Sequence, residues 1–125
     1  MEIDRLDHLV LTVQDLGATR AFYERVLGMK PVEFKGRQAL AFGAQKINLH
    51  QAGHEFEPKA GRATPGSADL CFILKGTLEE AAVHLAACGV PILQGPVERT
   101  GALGTIRSLY FRDPDQNLIE VSVYS

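Results

Sequence analysis

The stretch FRDPDQNLIEV, residues 111–121, decides how the rest of the chain is interpreted. It predicts a strand, a tight turn over residues 113–115 and a second strand, because Asp and Pro are typical turn residues. In the second strand Glu120 shares one face with Leu118 and Ser122, since side chains alternate along a strand. A carboxylate set into a sheet needs a cation, a proton or hydrogen-bond donors nearby. Glu120 is therefore the first candidate functional residue.

A second candidate lies near the other end of the chain. His8 belongs to the apolar stretch LDHLVLTV, residues 6–13, which also has the character of a strand. An imidazole and a carboxylate, each embedded in a strand, are typical donors for a divalent metal ion. The pair predicts a metal site formed when the chain folds back on itself.

Composition limits the classes of protein that the chain can represent. Its 125 residues, 46% hydrophobic and 22% charged, suit one globular domain with a modest core. A net charge of -2, with no cluster of Lys and Arg, argues against a nucleic-acid partner. No apolar run is long enough to span a bilayer, and the charged N-terminus does not resemble a signal peptide, so we expect a cytoplasmic protein with no membrane partner. Cys71 and Cys88 belong to no short-spaced pair, which excludes a zinc finger.

The chain repeats one pattern of elements, and each half is predicted as strand, helix and three strands. In the first half Asp15 caps the helix and Gly28 ends it. In the second half Thr77 and Glu80 form a capping box, and Gly89 ends the helix. The predicted strands are 6–13, 31–34, 38–42 and 46–51, then 68–74, 91–93, 106–111 and 117–124.

The domain organisation follows from this repeat. We expect a single domain over residues 1–125, made of a first module at 4–52 and a second at 68–125. The segment 54–67, with two prolines and two glycines, is predicted as a connecting loop.

Aligning the halves pairs His8 with Asp69, and Asn48 with Glu120. His50 lies two residues beyond Asn48, on the same face of its strand. All five side chains would line one cavity on the concave side of a curved sheet. A shift of one residue in the alignment would reverse the facing of every side chain.

The pattern resembles the vicinal oxygen chelate superfamily, which includes glyoxalase I, fosfomycin-resistance transferases, extradiol dioxygenases and bleomycin-resistance proteins. The resemblance covers the whole chain. Within the superfamily, the chain most resembles the small glyoxalase-domain-containing protein 5 group. It rests on the segments 6–13, 22–28, 110–115 and 117–120, with 45–50, 56–59 and 99–101 for the smaller group.

The resemblance implies an α+β fold in which two βαβββ modules form an eight-stranded, curved half-barrel. It implies a divalent metal ion, which would be Ni, Mn, Zn, Co or Fe, held by the first and last strands of each module. His8 and Glu120 match this pattern directly, Asp69 stands where many of the metalloenzymes carry His, and His50 or Asn48 stands where glyoxalase I carries Glu. These departures weigh against glyoxalase I activity itself.

The activity implied is that of a glyoxalase-type lyase or isomerase, which acts on a small oxygenated metabolite through a metal-stabilised enolate. Glu120 would be the catalytic base, and glutathione is a candidate thiol cofactor. Asn48, Arg37, Arg99 and Arg107 are candidates for substrate binding, since Arg grips carboxylates and phosphates with two hydrogen bonds. Each of these Arg side chains is more often simply a solvated surface charge.

Two alternatives stay open. The bleomycin-resistance branch has the same topology and binds a drug without metal, whereas an extradiol dioxygenase would require His50 to supply its second histidine. We also expect a homodimer, from the resemblance and from the sheet edges that such modules expose.

Overall fold

The computed structural model describes all 125 residues, which divide into two compact units, Met1–Pro65 and Gly66–Ser125. The division falls inside the segment predicted as a connecting loop. Each unit holds one helix and one four-stranded sheet, so the α+β class and the repeat of two βαβββ modules are confirmed. The expected eight strands form two sheets of four.

The first unit consists of one sheet and one helix. Its strand order is β1-β4-β3-β2, with β1 and β4 parallel and the other pairs antiparallel. Leu40, Ile47 and Tyr23 are fully buried between the sheet and the helix. The elements are β1 (His8–Val13), α1 (Leu16–Leu27), β2 (Lys30–Phe34), β3 (Arg37–Phe42) and β4 (Gln45–Gln51).

The second unit repeats this topology. Its strand order is β5-β8-β7-β6, and β5 runs parallel to β8. Leu78 of the helix and Leu109, Phe111 and Ile119 of the sheet are buried. The elements are β5 (Asp69–Ile73), α2 (Leu78–Ala87), β6 (Gln94–Gly101), β7 (Gly104–Arg112) and β8 (Leu118–Tyr124).

The helix boundaries follow the predicted signals. The Asp15 carboxylate accepts a hydrogen bond from the Ala18 amide at 2.9 Å, and Gly28 ends α1 in the left-handed conformation. The Thr77 hydroxyl accepts from the Glu80 amide at 3.1 Å, as the predicted capping box requires. None of the helices combines the length and the apolar character needed to cross a bilayer.

One predicted strand, 91–93, is wrong. Pro91 has no amide hydrogen to donate to a ladder, and β6 begins instead at Gln94. Its pairing with β7 is interrupted by a register shift between Gln94 and Val97. Gly95 allows this path, because a Cβ there would lie 2.3 Å from the Ser108 carbonyl oxygen.

The strand registers confirm the alignment of the two halves. His8 pairs with Lys46 and Val10 with Asn48 in the first unit. In the second unit, Asp69 pairs with Leu118 and Cys71 with Glu120. His8 and Asp69 therefore occupy equivalent ladder positions, and so do Asn48 and Glu120.

Candidate functional site

Glu120 is a half-buried carboxylate held by two hydroxyl groups. Ile119 and Val121, its neighbours in β8, are buried in the core, so Glu120 faces away from the core. Its Oε2 atom accepts a hydrogen bond from the Ser108 hydroxyl at 2.5 Å and one from Ser122 at 3.4 Å. Both serines are fully buried, and their oxygens lie 2.7 Å apart. The hydrogen-bond donors that an embedded carboxylate requires are thus present, and they fix one of its oxygens.

Tyr110 lies opposite Glu120 on the adjacent strand β7. The Arg99 guanidinium donates a hydrogen bond from Nε to the Tyr110 hydroxyl at 3.2 Å and also lies over the ring, 5.6 Å from its centroid. Burial raises the pKa of Tyr110, and the Glu120 carboxylate raises it further, whereas Arg99 acts in the opposite direction. Tyr110 is therefore a protonated phenol near neutral pH and can donate a hydrogen bond.

Cys71 lies opposite Glu120 on its other side, in β5. Its Sγ atom is 3.3 Å from the Ser122 hydroxyl oxygen. Burial raises the pKa of the Cys71 thiol, and the Glu120 charge adds to this effect against the opposing hydrogen bond from Ser122. Cys71 is thus a thiol and not an activated thiolate nucleophile near neutral pH.

These side chains line a cavity of about 420 Å³ in the second unit. It is large enough to hold a small molecule. Its lining includes Cys71, Ile73, Arg99, Tyr110, Glu120 and Tyr124.

Two further predicted ligands are exposed residues at strand starts. His8, at the start of β1, has its Nδ1 atom 2.8 Å from the Asp7 carboxylate, and this hydrogen bond is the main cause that lowers the pKa of Asp7. Asp69, at the start of β5, is two residues before the pairing partner of Glu120. Asp69 and Glu120 are therefore diagonal neighbours on one sheet face, about 8 Å apart at Cα.

His50 and Asn48 belong to a different cavity, of about 230 Å³, within the first unit. The His50 ring meets the Phe56 ring edge-on, with centroids 5.5 Å apart, and the Arg37 guanidinium lies 4.7 Å from the same ring centroid. Lys46, which pairs with His8, lies four residues before His50 in β4. His8 and His50 are thus separated by about 13 Å along the strands, which does not favour one ion between them.

Arg107 is the one substrate-binding candidate that lines neither cavity. Ser108 and Tyr110 face Glu120, so Arg107 lies on the opposite face of β7. Its guanidinium is 3.6 Å from the Glu79 carboxylate of α2. Arg107 is therefore not part of the Glu120 cavity.

The structure contains no group of three or more His, Cys, Asp or Glu side chains arranged to hold a metal ion. The sequence does not identify Cys71, Ser108 and Tyr110, which lie around Glu120. It also does not identify Phe56, whose ring contacts that of His50. Alternation in residues 106–110 indicates which side chains of β7 share a face, but their position opposite Glu120 depends on the register.

Two βαβββ units, with a His in the first strand and a Glu in the last, define a protein of the paired-module class to which glyoxalases belong. The family model of the glyoxalase/bleomycin resistance protein/dioxygenase superfamily matches residues 5–121. The chain therefore belongs to this superfamily.

Two relatives extend over nearly the whole chain. Virulence protein STM3117 of Salmonella typhimurium is 61% identical over 99% of this chain and 87% of its own length, and its crystal structure has a TM-score of 0.99 with full coverage of both chains. Glyoxalase domain-containing protein RDO1 of Mycosarcoma maydis is 54% identical over 99% of this chain and 70% of its own length.

More distant structures share the fold alone. Lactoylglutathione lyase from Agrobacterium tumefaciens is 23% identical, with a TM-score of 0.76 over 98% of this chain and 95% of its own. TnmS3, an antibiotic-binding protein from a Streptomyces strain, is 20% identical, with a TM-score of 0.78 over 100% and 99%. The glyoxalase-like fold is confirmed, and it is found in enzymes and in binding proteins alike.

Proposed function

We propose that this chain is a divalent-metal-dependent enzyme of the glyoxalase type, a lyase or isomerase that acts on a small oxygenated metabolite. The observation that carries the proposal is the setting of Glu120. Its carboxylate is half-buried, lines a cavity of about 420 Å³ and is held at Oε2 by Ser108. A general base must be held within reach of the proton that it removes, and a carboxylate fixed at a cavity wall meets this requirement.

The donors of this chain suit a divalent metal ion. The hydrogen bond between His8 Nδ1 and Asp7 is the arrangement that orients a metal-binding imidazole through its Nε2 atom. Asp69 and Glu120 add carboxylates on neighbouring strands, and such nitrogen and oxygen donors bind Mn, Fe, Co, Ni or Zn. We propose His8, Asp69 and Glu120 as the metal ligands. When bound, the ion stabilises negative charge that develops on a substrate oxygen.

The residues around Glu120 have separate roles in the proposed reaction. Glu120 removes a proton from the carbon next to a substrate carbonyl, and the electron pair of the broken C–H bond remains on the substrate as an enolate. The Ser108 hydrogen bond keeps the carboxylate in position. Tyr110 donates a hydrogen bond as a protonated phenol, and Arg99 binds an anionic group such as a carboxylate of glutathione.

Proton exchange at the substrate carbon tests this role directly. The protein, reconstituted in turn with Mn²⁺, Co²⁺, Ni²⁺ and Zn²⁺, is incubated in D₂O with the hemithioacetal of glutathione and methylglyoxal, and also with hydroxyacetone. We expect NMR to show exchange of the α-proton in the wild type and a loss of about 100-fold or more in Glu120→Gln. Glu98→Gln is the matched control, because Glu98 is an exposed carboxylate of the same unit.

Either of two results would reject the proposal. One is an exchange rate in Glu120→Gln equal to that of the wild type. The other is no exchange above the protein-free rate with any of the four metals and both substrates.

A second candidate function is metal-free binding of a small molecule. The cavity of the first unit favours it, because aromatic and cationic side chains line it and no carboxylate does. TnmS3, which has the same fold, is an antibiotic-binding protein. Saturable ligand binding in metal-stripped protein, without any turnover, would support this function over the enzyme.

A further inference from the structure

The cavity of the first unit carries positive charge without a compensating carboxylate. Arg37 and Lys46 belong to its lining, together with the imidazole of His50 and the amide of Asn48. No Asp or Glu is among the lining residues. Such a wall attracts an anion, since Arg and Lys side chains donate charge-assisted hydrogen bonds to carboxylates and phosphates.

Phe56 organises the cationic side of this cavity. The Arg37 guanidinium lies over the Phe56 ring at 4.7 Å, while the His50 ring approaches the same ring edge-on at 5.5 Å. Stacking on an aromatic face restricts the guanidinium and leaves its N–H groups directed outward in its plane. Arg37 is thus positioned for a ligand before any ligand arrives.

The same cavity exposes apolar surface. Phe34 is 73% exposed and Phe56 is 40% exposed, although both are large aromatic side chains. Together with Val32 and Ala39 they form an apolar wall beside the cations. A ligand that satisfies both features has an anionic group and an apolar or aromatic body.

The two repeats differ in charge and in side-chain size at the positions that would face a bound anion. Asn48 occupies the ladder position that Glu120 has in the second unit. Ala39 lies opposite Asn48, whereas the bulkier Tyr110 lies opposite Glu120. The first unit therefore has a neutral amide and open space where the second unit has a carboxylate and a phenol. A carboxylate at position 48 would repel an anion bound in the same cavity.

We propose that the cavity of the first unit is a binding site for a small organic anion with an apolar or aromatic body. Arg37 and Lys46 bind its carboxylate or phosphoryl group, Phe34 and Phe56 pack against its body, and Asn48 hydrogen-bonds a neutral oxygen. At about 230 Å³ the cavity is below the range for drug-sized molecules, so the ligand is small. The inference rests on the second candidate function, small-molecule binding in this cavity, and names its ligand class; it does not depend on the proposed metal-dependent enzyme.

Calorimetric titration of the full-length protein, stripped of metal and dialysed free of chelator, tests this site. The probes are benzoate and phenyl phosphate as the anions, with benzamide as the uncharged analogue of benzoate. We expect saturable binding of at least one anion, with benzamide about tenfold weaker than benzoate or undetectable. Equal affinity for benzoate and benzamide would overturn the proposal, as would the absence of saturable binding by both anions.

Variants locate the site in the first unit. We expect Arg37→Gln to weaken binding of the anion about tenfold, and Phe56→Leu to weaken it through loss of the stacked arrangement. Arg62→Gln removes an exposed Arg of the same unit outside the cavity and should leave binding unchanged. Circular dichroism verifies that each variant is folded. Unchanged affinity in folded Arg37→Gln would contradict the assignment.

Glu120→Gln separates this inference from the proposed function. This variant should lose proton exchange and retain binding of the anion with unchanged affinity. Loss of anion binding in Glu120→Gln would place the ligand elsewhere and overturn the inference. Anion binding without any metal-dependent exchange in the wild type would reject the proposed enzyme and leave the inference standing.

Discussion

At the scale of single residues, Glu120 changes the hydrogen bonding and the pKa values of side chains that are distant from it in the sequence. It accepts hydrogen bonds from Ser108 and Ser122 and raises the pKa values of Tyr110 and Cys71. Sequence reasoning identified Glu120 because a carboxylate between Ile119 and Val121 is unusual in a strand. It could not identify Tyr110 or Ser108, because they meet Glu120 only through the pairing of β7 with β8.

The Cys71 thiol reports the charge on Glu120. In a Cys88→Ser background, we expect alkylation by iodoacetamide to rise at higher pH than for free cysteine, because a raised pKa delays formation of the reactive thiolate. Glu120→Gln removes a nearby negative charge, so its profile should move to lower pH. Burial is the larger cause of the shift, so the profile should stay above that of free cysteine. A profile that stays in place in Glu120→Gln would show that the carboxylate does not act on Cys71.

The turn before β8 supports structure and not chemistry, as the sequence predicts for residues 113–115. Asp113 and Asn117 are both buried. The Asp113 carboxylate accepts hydrogen bonds from the Asn117 amide and side chain at 2.9 and 2.8 Å, and Asn117 Oδ1 accepts one from the Ala68 amide at 2.8 Å. Asn117 thereby ties the turn to the start of β5.

Replacing Asn117 should therefore destabilise the fold. Asn117→Ala leaves Asp113 Oδ2 and the Ala68 amide without these partners, and we expect the free energy of unfolding to fall by about 2–4 kcal/mol. Urea denaturation measures the change, with Lys75→Ala as the exposed control, for which about 0.5 kcal/mol or less is expected. A loss for Asn117→Ala no larger than for the control would show that the turn does not depend on this side chain.

At the scale of elements, the sequence predicts structure well where the signals are local. The N-caps of the two helices and the alternation of side chains along β8 each depend on residues that lie close in sequence, and the structure confirms all three. The sequence misplaces strand β6 because a Gly-Pro pair, here Gly95-Pro96, is typical of a turn or loop and not of a strand. Pairing with β7 across the register shift extends the strand through this pair, and pairing of this kind leaves no local signal. For the same reason the facing of Arg107 was not predicted.

The path of β6 beside β7 depends on Gly95. A Cβ at this position would lie 2.3 Å from the Ser108 carbonyl oxygen and 3.0 Å from the Leu109 Cα. We expect Gly95→Ala to lower the free energy of unfolding by at least about 2 kcal/mol more than Gly104→Ala does. Gly104 is the matched control because its φ is also positive but a Cβ there meets nothing within 4 Å. Equal losses in the two variants would show that the close approach is not what selects glycine.

At the scale of the whole chain, the two repeats keep one topology and differ in the residues that they present. Equivalent positions hold Asn48 in the first unit and Glu120 in the second, and His8 in the first unit and Asp69 in the second. The repeat itself was predictable from the order of elements. How the equivalent positions combine into function was not, because it depends on the surroundings of each side chain.

We propose that the chain forms a homodimer. The outer strands of each four-stranded sheet have an unpaired edge within their unit, and the free N–H and C=O groups of such an edge can pair with another chain. Light scattering coupled to gel filtration should give twice the chain mass of 13.6 kDa. A monomer mass at all concentrations tested would contradict this proposal.

Elemental analysis of the purified, tag-free protein, after reconstitution with divalent metals, tests metal binding at His8 and Glu120 most directly. We expect one metal ion per chain in the wild type and loss of this ion in His8→Ala and in Glu120→Gln. His54→Ala and Glu98→Gln, which change exposed residues of the same two types, should retain it. A wild-type protein that holds no metal, or folded His8→Ala and Glu120→Gln variants that retain a full equivalent, would contradict the proposed metal-dependent function.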